Sequence, residues 1–257
     1  MSRILIIVMF WLYLVSSSES IASETGDAES SVPVNRLAFT TAFFNSINLD
    51  KLTGLFGYTR NLSPKSNLNV RAAYMDARFG RSGGMGFGDT TVTWSYLPNY
   101  EISVGPWFPR VVGSGIAVTL PTGSVKEGRG LGGTIVTPFV GTVFPLTDTL
   151  SITPNLAYAY SLDPILTGFD VRMAQIDIGL TMVRNSGWWG SGFFGFLHDF
   201  EVNNTSFGAR LSAGKVFGNG WGLSAHYIDI EGFVPGVVPG ANSSFNQVYE
   251  LTVSYGF

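Results

Sequence analysis

The chain has no cysteine among its 257 residues, only two histidines, and charged side chains at 13%. Without cysteine there are no disulfides, thiolate metal sites, cysteine nucleophile or lipid-modified cysteine. With two histidines and no clustered ligands, neither a metal centre nor a cofactor is expected. A soluble domain usually carries about 25% charged residues, so something other than water solvates much of this surface. The formal charge of −3 comes without a basic stripe to neutralise phosphates, which argues against a nucleic-acid partner. Long helical stretches rich in Glu, Lys, Leu and Ala are also missing after the first thirty residues.

What is present begins with "MSRILIIVMFWLYLVSSSESIAS", with Arg3 in a short positive start, an apolar run from Ile4 to Val15 and small residues ending at Ser20-Ile21-Ala22. That order reads as a secretory signal peptide over 1–22, cleaved after Ala22. A membrane anchor is the alternative, but the run falls short of the roughly 20 apolar residues a spanning helix needs. Residues 23–36 are polar and aperiodic, and are expected to be a flexible lead-in to a barrel over 37–257.

From there to the end the chain alternates. "LNVRAAYMDA" sets Leu68, Val70, Ala72 and Tyr74 against Asn69, Arg71, Ala73 and Met75. "VRMAQIDIGLTM" sets Ala174, Ile176, Ile178, Leu180 and Met182 against Gln175, Asp177, Gly179 and Thr181. Period-two patterning marks strands with one apolar face. Only helices and closed barrels satisfy every backbone group in lipid. With helices lacking, these strands predict an all-β, antiparallel transmembrane β-barrel in the bacterial outer membrane, with outer-membrane lipids as its solvent.

Segment starts near Leu37, Leu52, Asn67, Thr90, Val111, Gly132, Thr149, Val171, Trp188, Thr205, Trp221 and Asn246 give about twelve strands, an even number as such barrels require. "SPKS", "PLTDT", "RNSG" and "GNG" read as periplasmic turns. "RFGRSGGMGFGD", "PTGSVKEGRGLG", "LDPILTGFD" and "GFVPGVVPGANSS" read as longer external loops. "PNYEISVGPWFPR" is long where a turn is due, which leaves ten or fourteen strands open. The apolar residues of the last loop, Phe233, Val234, Val237 and Val238, suit the mouth of a pathway for an apolar solute.

Inward positions are mostly small or hydroxylic, including Thr91, Thr93, Ser95, Gly113, Gly115, Thr119, Ser151, Thr153, Asn155, Ser212, Gly214, Thr252 and Ser254. Among them stand Arg71, Asp177, Arg210 and Glu250. A cation facing lipid at the midplane costs about 2–4 kcal/mol, so these charges turn inward, either to line a pore with Asn155 or to pair and hold the lumen together.

Three enzyme-like signals are weak. "GSGFFG" matches a dinucleotide fingerprint but lacks the following helix. Ser224 and His226 share a strand face that Glu250 could adjoin, in the reverse order to the His-x-Ser of barrel lipases; hydrolysis would require hydrogen-bonding reach between them. His198 and Asp199 read as a pair on the external rim. No catalytic residue is assigned.

The stretch "GSGIAVTLPTGSVKEGRGLGGTIVTPFVGTVFPLTDTLSITPNLAYAYS" carries "LPTG" (Leu120–Gly123), a Gly-rich external loop and a strand pair ending in "NLAYAY". It resembles the meta-pathway phenol-degradation family of outer-membrane transporters. The resemblance implies a barrel associated with uptake of aromatic or other hydrophobic small molecules. The expected function is a passive channel, with a non-transporting structural or surface-binding envelope barrel as the alternative and an envelope esterase behind both. The closing "YELTVSYGF" alternates Tyr249, Leu251, Val253, Tyr255 and Phe257 with polar or small residues. It resembles the terminal strand read by the barrel-assembly machinery, which makes that machinery an expected partner.

Overall fold

The computed structural model describes residues 35–45, 51–63, 65–79, 82–97, 111–126, 129–130, 132–163, 170–201, 203–232 and 244–257. Among them twelve strands form one antiparallel sheet closed on itself. They are β1 (Asn35–Asn45), β2 (Lys51–Ser63), β3 (Ser66–Phe79), β4 (Ser82–Tyr96), β5 (Val111–Leu120), β6 (Ile135–Pro145), β7 (Leu150–Ser161), β8 (Arg172–Val183), β9 (Trp188–Asp199), β10 (Asn204–Val216), β11 (Trp221–Gly232) and β12 (Ser244–Gly256). Each strand pairs with its chain neighbours, and β1 closes the barrel on β12 with Phe39 opposite Val253 and Thr40 opposite Thr252. No edge is left to collect unpaired backbone groups.

No described helix is long and apolar enough to cross a membrane; the strands do the crossing. Their outward positions form an exposed apolar band, including Leu37, Ile116, Val140, Ile176, Ile178, Leu180, Leu211, Leu223, Leu251 and Val253. Water would reject so much contiguous apolar surface, and lipid accepts it. Trp94, Tyr96, Trp188, Trp221 and Tyr255 ring one end of the band, while Tyr74, Phe87, Tyr158, Phe200, Tyr227 and Tyr249 sit toward the other. Their polar tips find partners, as buried or interfacial aromatics require: Trp94 Nε1 donates to Ser66 Oγ (2.9 Å) and Tyr249 OH to Gln247 Oε1 (3.1 Å). Lys215 lays its ammonium 5.0 Å from the Trp188 ring centroid at the lower rim. The chain is therefore a transmembrane barrel of the bacterial outer-membrane type, and its aromatic girdles bracket the lipid.

Asn35 and Phe257 bond each other's backbone, so both ends of the described barrel lie together. The tight turns at 184–187 and 217–220 lie at the same end, with Gly187 (φ 80°) and Gly220 (φ 86°) in the left-handed region where a side chain would be strained. By the rule that short turns are periplasmic, this end faces the periplasm.

Three expectations need correction. The glycine-rich "RFGRSGGMGFGD" is not a long loop: β3 runs to Phe79 and β4 starts at Ser82, with Arg129 packed on Gly86 and inward Met75 on Gly88. β1 begins at Asn35, inside the segment expected to be flexible, and β6 begins at Ile135 rather than near Gly132. The expected signal peptide, "PNYEISVGPWFPR" from Pro98 on, and the loop bearing Phe233, Val234, Val237 and Val238 fall outside the described residues.

Candidate solute pathway through the barrel

The strand period and the barrel's closure decide what lines the interior. Arg71, Asn155, Asp177, Arg210 and Glu250 all take inward positions, whereas Tyr249, Leu251, Val253, Tyr255 and Phe257 face out and are exposed. Register then sorts the charges. Asn155 stands directly opposite Asp177 across β7 and β8. Glu250 stands opposite His226 across β12 and β11, and Arg210 reaches His226 from β10. Arg71 stands on β3, between Gly57 and Thr91.

The histidine contact has a definite polarity. Arg210 Nη2 lies 2.8 Å from His226 Nδ1, and Ser224 Oγ lies 2.9 Å from His226 Nε2. A guanidinium only donates, so Nδ1 is the acceptor and the ring proton resides on Nε2, which donates to Ser224. Ser224 and His226 do come within hydrogen-bonding reach, but in the wrong sense. A base that activates serine needs a free lone pair on the nitrogen facing it and an acceptor, not a guanidinium, behind it. The other enzyme-like signals dissolve similarly. "GSGFFG" lies wholly within β9. His198 faces outward, beside Thr205 Oγ1 (2.9 Å) and the Phe200 ring (4.6 Å), while Asp199 is buried on the inner side and accepts the Glu201 backbone N–H. Adjacent residues of a strand point to opposite faces, so the expected rim pair does not form.

The sequence reading missed large inward side chains. Phe139, Phe193 and Trp189 point into the lumen, and each faces a glycine on the adjacent strand: Phe139 opposite Gly115, Phe193 opposite Gly179 and Trp189 opposite Gly214. A Cβ at any of these glycines would collide with the facing ring. The rings therefore lie flat along the wall rather than across the passage, and each keeps part of its surface accessible. A planar apolar surface beside hydroxyls such as Ser191 and Thr252 can hold a ring by stacking while its polar edge stays solvated. In sequence these aromatics sit among outward ones ("WWGSGFFGF"), and only the register shows that a glycine faces each.

Along β1, β2, β11 and β12 the two ends of the interior differ in access, while inward periplasmic residues of the other strands, such as Asn67, Ser95, Val143 and Thr181, are buried. Toward the periplasm, inward Ala38, Thr40, Thr59, Ser224, Thr252 and Ser254 are partly exposed. Thr40 and Thr252 share a hydroxyl hydrogen bond of 2.7 Å across the β1–β12 seam. Toward the exterior, inward Ala42, Met75, Met173, Leu197, Ile228 and Val248 are buried.

Part of the external closure comes from the loop after β5. β4 pairs with β5 only from Thr90 to Tyr96, so Ser82–Asp89 run on past the end of β5. Residues 122–126 and 129–130 pack on that overhang. Gly123 N–H donates to the buried Asp89 Oδ1 (2.9 Å), Thr122 Oγ1 to Gly88 O (3.0 Å), and Arg129 Nη1 to Gly84 O (3.1 Å) and Met85 O (3.3 Å). The glycines of β4 make room: a Cβ on Gly86 would strike the Arg129 guanidinium, and one on Gly88 would meet Met75. Backbone groups need partners wherever water is excluded, and this loop supplies them.

No family model and no curated protein matches the chain. Among solved structures it is similar to the NanC porin, at 12% identity over 86% of this chain and 100% of that one, with a TM-score of 0.63. An outer-membrane channel from Pseudomonas putida F1 is similar at 11% identity over 91% and 98%, with a TM-score of 0.66. The translocator domain of the autotransporter NalP from Neisseria meningitidis is similar at 13% over 100% and 97%, with a TM-score of 0.60. At these identities the likeness is one of fold, and it supports the outer-membrane barrel without singling out the phenol-degradation family.

Proposed function

We propose that this barrel is a passive outer-membrane channel for small molecules, with a preference for aromatic or otherwise apolar ones. The observation that carries the reading is the set of three inward rings, Phe139, Phe193 and Trp189, each laid against a facing glycine. A lumen that only needed filling would gain more from rings packed across it. Rings held flush against the wall leave the space between them free of aromatic side chains and offer stacking faces along it. The presence of a porin and a channel among the similar structures supports transport as the general role, and the resemblance of Leu120–Gly123 and its surroundings to the phenol-degradation family supports the solute class. Movement is diffusion down a gradient. In this reading the terminal strand, Tyr249 to Phe257, also serves as the address read by the assembly machinery.

A second reading, a sealed barrel that serves the envelope structurally, draws on the buried external half. The deciding experiment reconstitutes the refolded barrel in liposomes and compares uptake of a phenol, a sugar and an amino acid. Phenol is expected to enter faster than the other two and faster than into protein-free vesicles. Uptake of all three at the protein-free rate leaves the structural reading standing.

A further inference from the structure

Four inward side chains on β7 and β8 carry buried oxygens that meet no protein donor: Thr153 Oγ1, Gln175 Oε1, Asp177 Oδ1 and Thr181 Oγ1. The residues are 5%, 0%, 8% and 1% exposed. They are also neighbours. Gln175, Asp177, Gly179 and Thr181 succeed one another on the inner face of β8, and Thr153 stands directly opposite Gly179. The second carboxylate oxygen of Asp177 accepts the Gln175 amide N–H at 2.6 Å, which leaves the amide oxygen of Gln175 and the first oxygen of Asp177 both in want of a donor. In the middle of the patch Gly179 has no side chain, and the Phe193 ring rests there from β9.

The patch has one chemical bias. A carboxylate and an amide oxygen only accept, and two hydroxyls accept readily, so the group that completes it must bring several donors. An anion would be repelled by Asp177. A metal ion is poorly served, since Asp177 is the single carboxylate and no described cluster of three His, Cys, Asp or Glu exists. A primary ammonium brings three donors and a positive charge, and the Phe193 ring resting in the middle of the patch adds a cation–π contact.

We infer that this patch is a subsite for the primary ammonium group of a solute, an inference that rests on the lumen being the solute pathway and adds a charge class to it. Arg210 stands opposite Phe193 on the other side of β9, with Nη2 engaged by His226 Nδ1. Its charge weakens the hold of Asp177 on a cation, which is what a channel requires: a site favourable enough to enter and weak enough to leave.

The test is an NMR titration of the full chain, refolded in nanodiscs, with ethylammonium chloride and separately with sodium chloride at matched ionic strength. Saturating shifts centred on Thr153, Gly179 and Thr181 are expected with ethylammonium only. Asp177→Asn should weaken the saturation about tenfold through loss of a charge-assisted hydrogen bond. Phe193→Leu should weaken it less, and the charge-matched control Asp148→Asn, in a periplasmic turn, should leave it unchanged. Heat-modifiable electrophoretic mobility reports whether each variant is folded. Equal shifts with sodium, no saturation with either salt, or undiminished binding in folded Asp177→Asn would overturn the subsite. Saturation in a barrel that passes no solute into liposomes would instead overturn the channel and leave the subsite standing. Solute uptake without saturation would do the reverse.

Discussion

The periplasmic and external halves of the interior are built from the same twelve strands, yet they solve different problems. In the periplasmic half the inward residues of β1, β2, β11 and β12 are small and hydroxylic, partly exposed, and joined by bonds such as Thr40 to Thr252. In the external half, Met75, Met173, Leu197, Ile228 and Val248 are buried, and the loop after β5 is fastened to the β4 overhang through Asp89, Gly84, Met85 and Gly88. Along β1, β2, β11 and β12 the periplasmic part is a vestibule, and the external part is a packed closure, joined on β4 by a strap. The barrel wall thus gives the shape, and access is set by what is packed inside it.

Substitutions that empty the closure should cost the most. Ile228→Ala, at a fully buried external position, is expected to lower unfolding free energy by about 2–5 kcal/mol and to raise single-channel conductance, read by urea unfolding in bilayers and by planar-bilayer recording. Next, Gly179→Val pushes the Phe193 ring off the wall and should destabilise by roughly 1–3 kcal/mol through overpacking, with reduced phenol uptake. Arg129→Ala removes the side-chain bonds to Gly84 O and Met85 O and should cost about 1.5 kcal/mol. Its more telling effect is a rise in conductance, because the strap is loosened while the strands stay paired. At the small end, Thr40→Val breaks one hydroxyl bond in the vestibule, expected to cost about 1 kcal/mol or less and to leave conductance nearly unchanged. Equal conductance effects from Thr40→Val and Ile228→Ala would erase the distinction between the halves.

The barrel itself was readable from the chain because lipid and lumen impose opposite demands on alternate residues, and β8 shows both faces cleanly in "RMAQIDIGLTM". The strand β4 was not, because Gly83, Gly84, Gly86 and Gly88 carry the composition of a loop; Arg129 and Met75, which pack on Gly86 and Gly88, come from elsewhere in the chain. Arg71, Asp177, Arg210 and Glu250 were placed inside by the cost of a charge in lipid. Their grouping was not legible, since Arg210 meets His226 only through the β10–β11 register. The flat rings were hidden for the same reason, as each depends on a glycine in a neighbouring strand. His198 and Asp199 offered the opposite lesson: the strand period alone puts them on different faces, and adjacency in sequence was the misleading cue.

The absence of cysteine makes one measurement especially direct. Single cysteines are introduced as Thr252→Cys in the vestibule, Val248→Cys in the closure and Leu251→Cys on the lipid face, and each is treated in bilayers with a small charged thiol reagent supplied from the periplasmic side. The vestibule cysteine is expected to react quickly. The lipid-facing one should stay protected, and the closure cysteine should react only when Arg129→Ala is added. Rapid labelling of the closure cysteine with Arg129 intact, or faster labelling at position 251 than at 252, would contradict a passage that is open toward the periplasm and closed by a strapped external half.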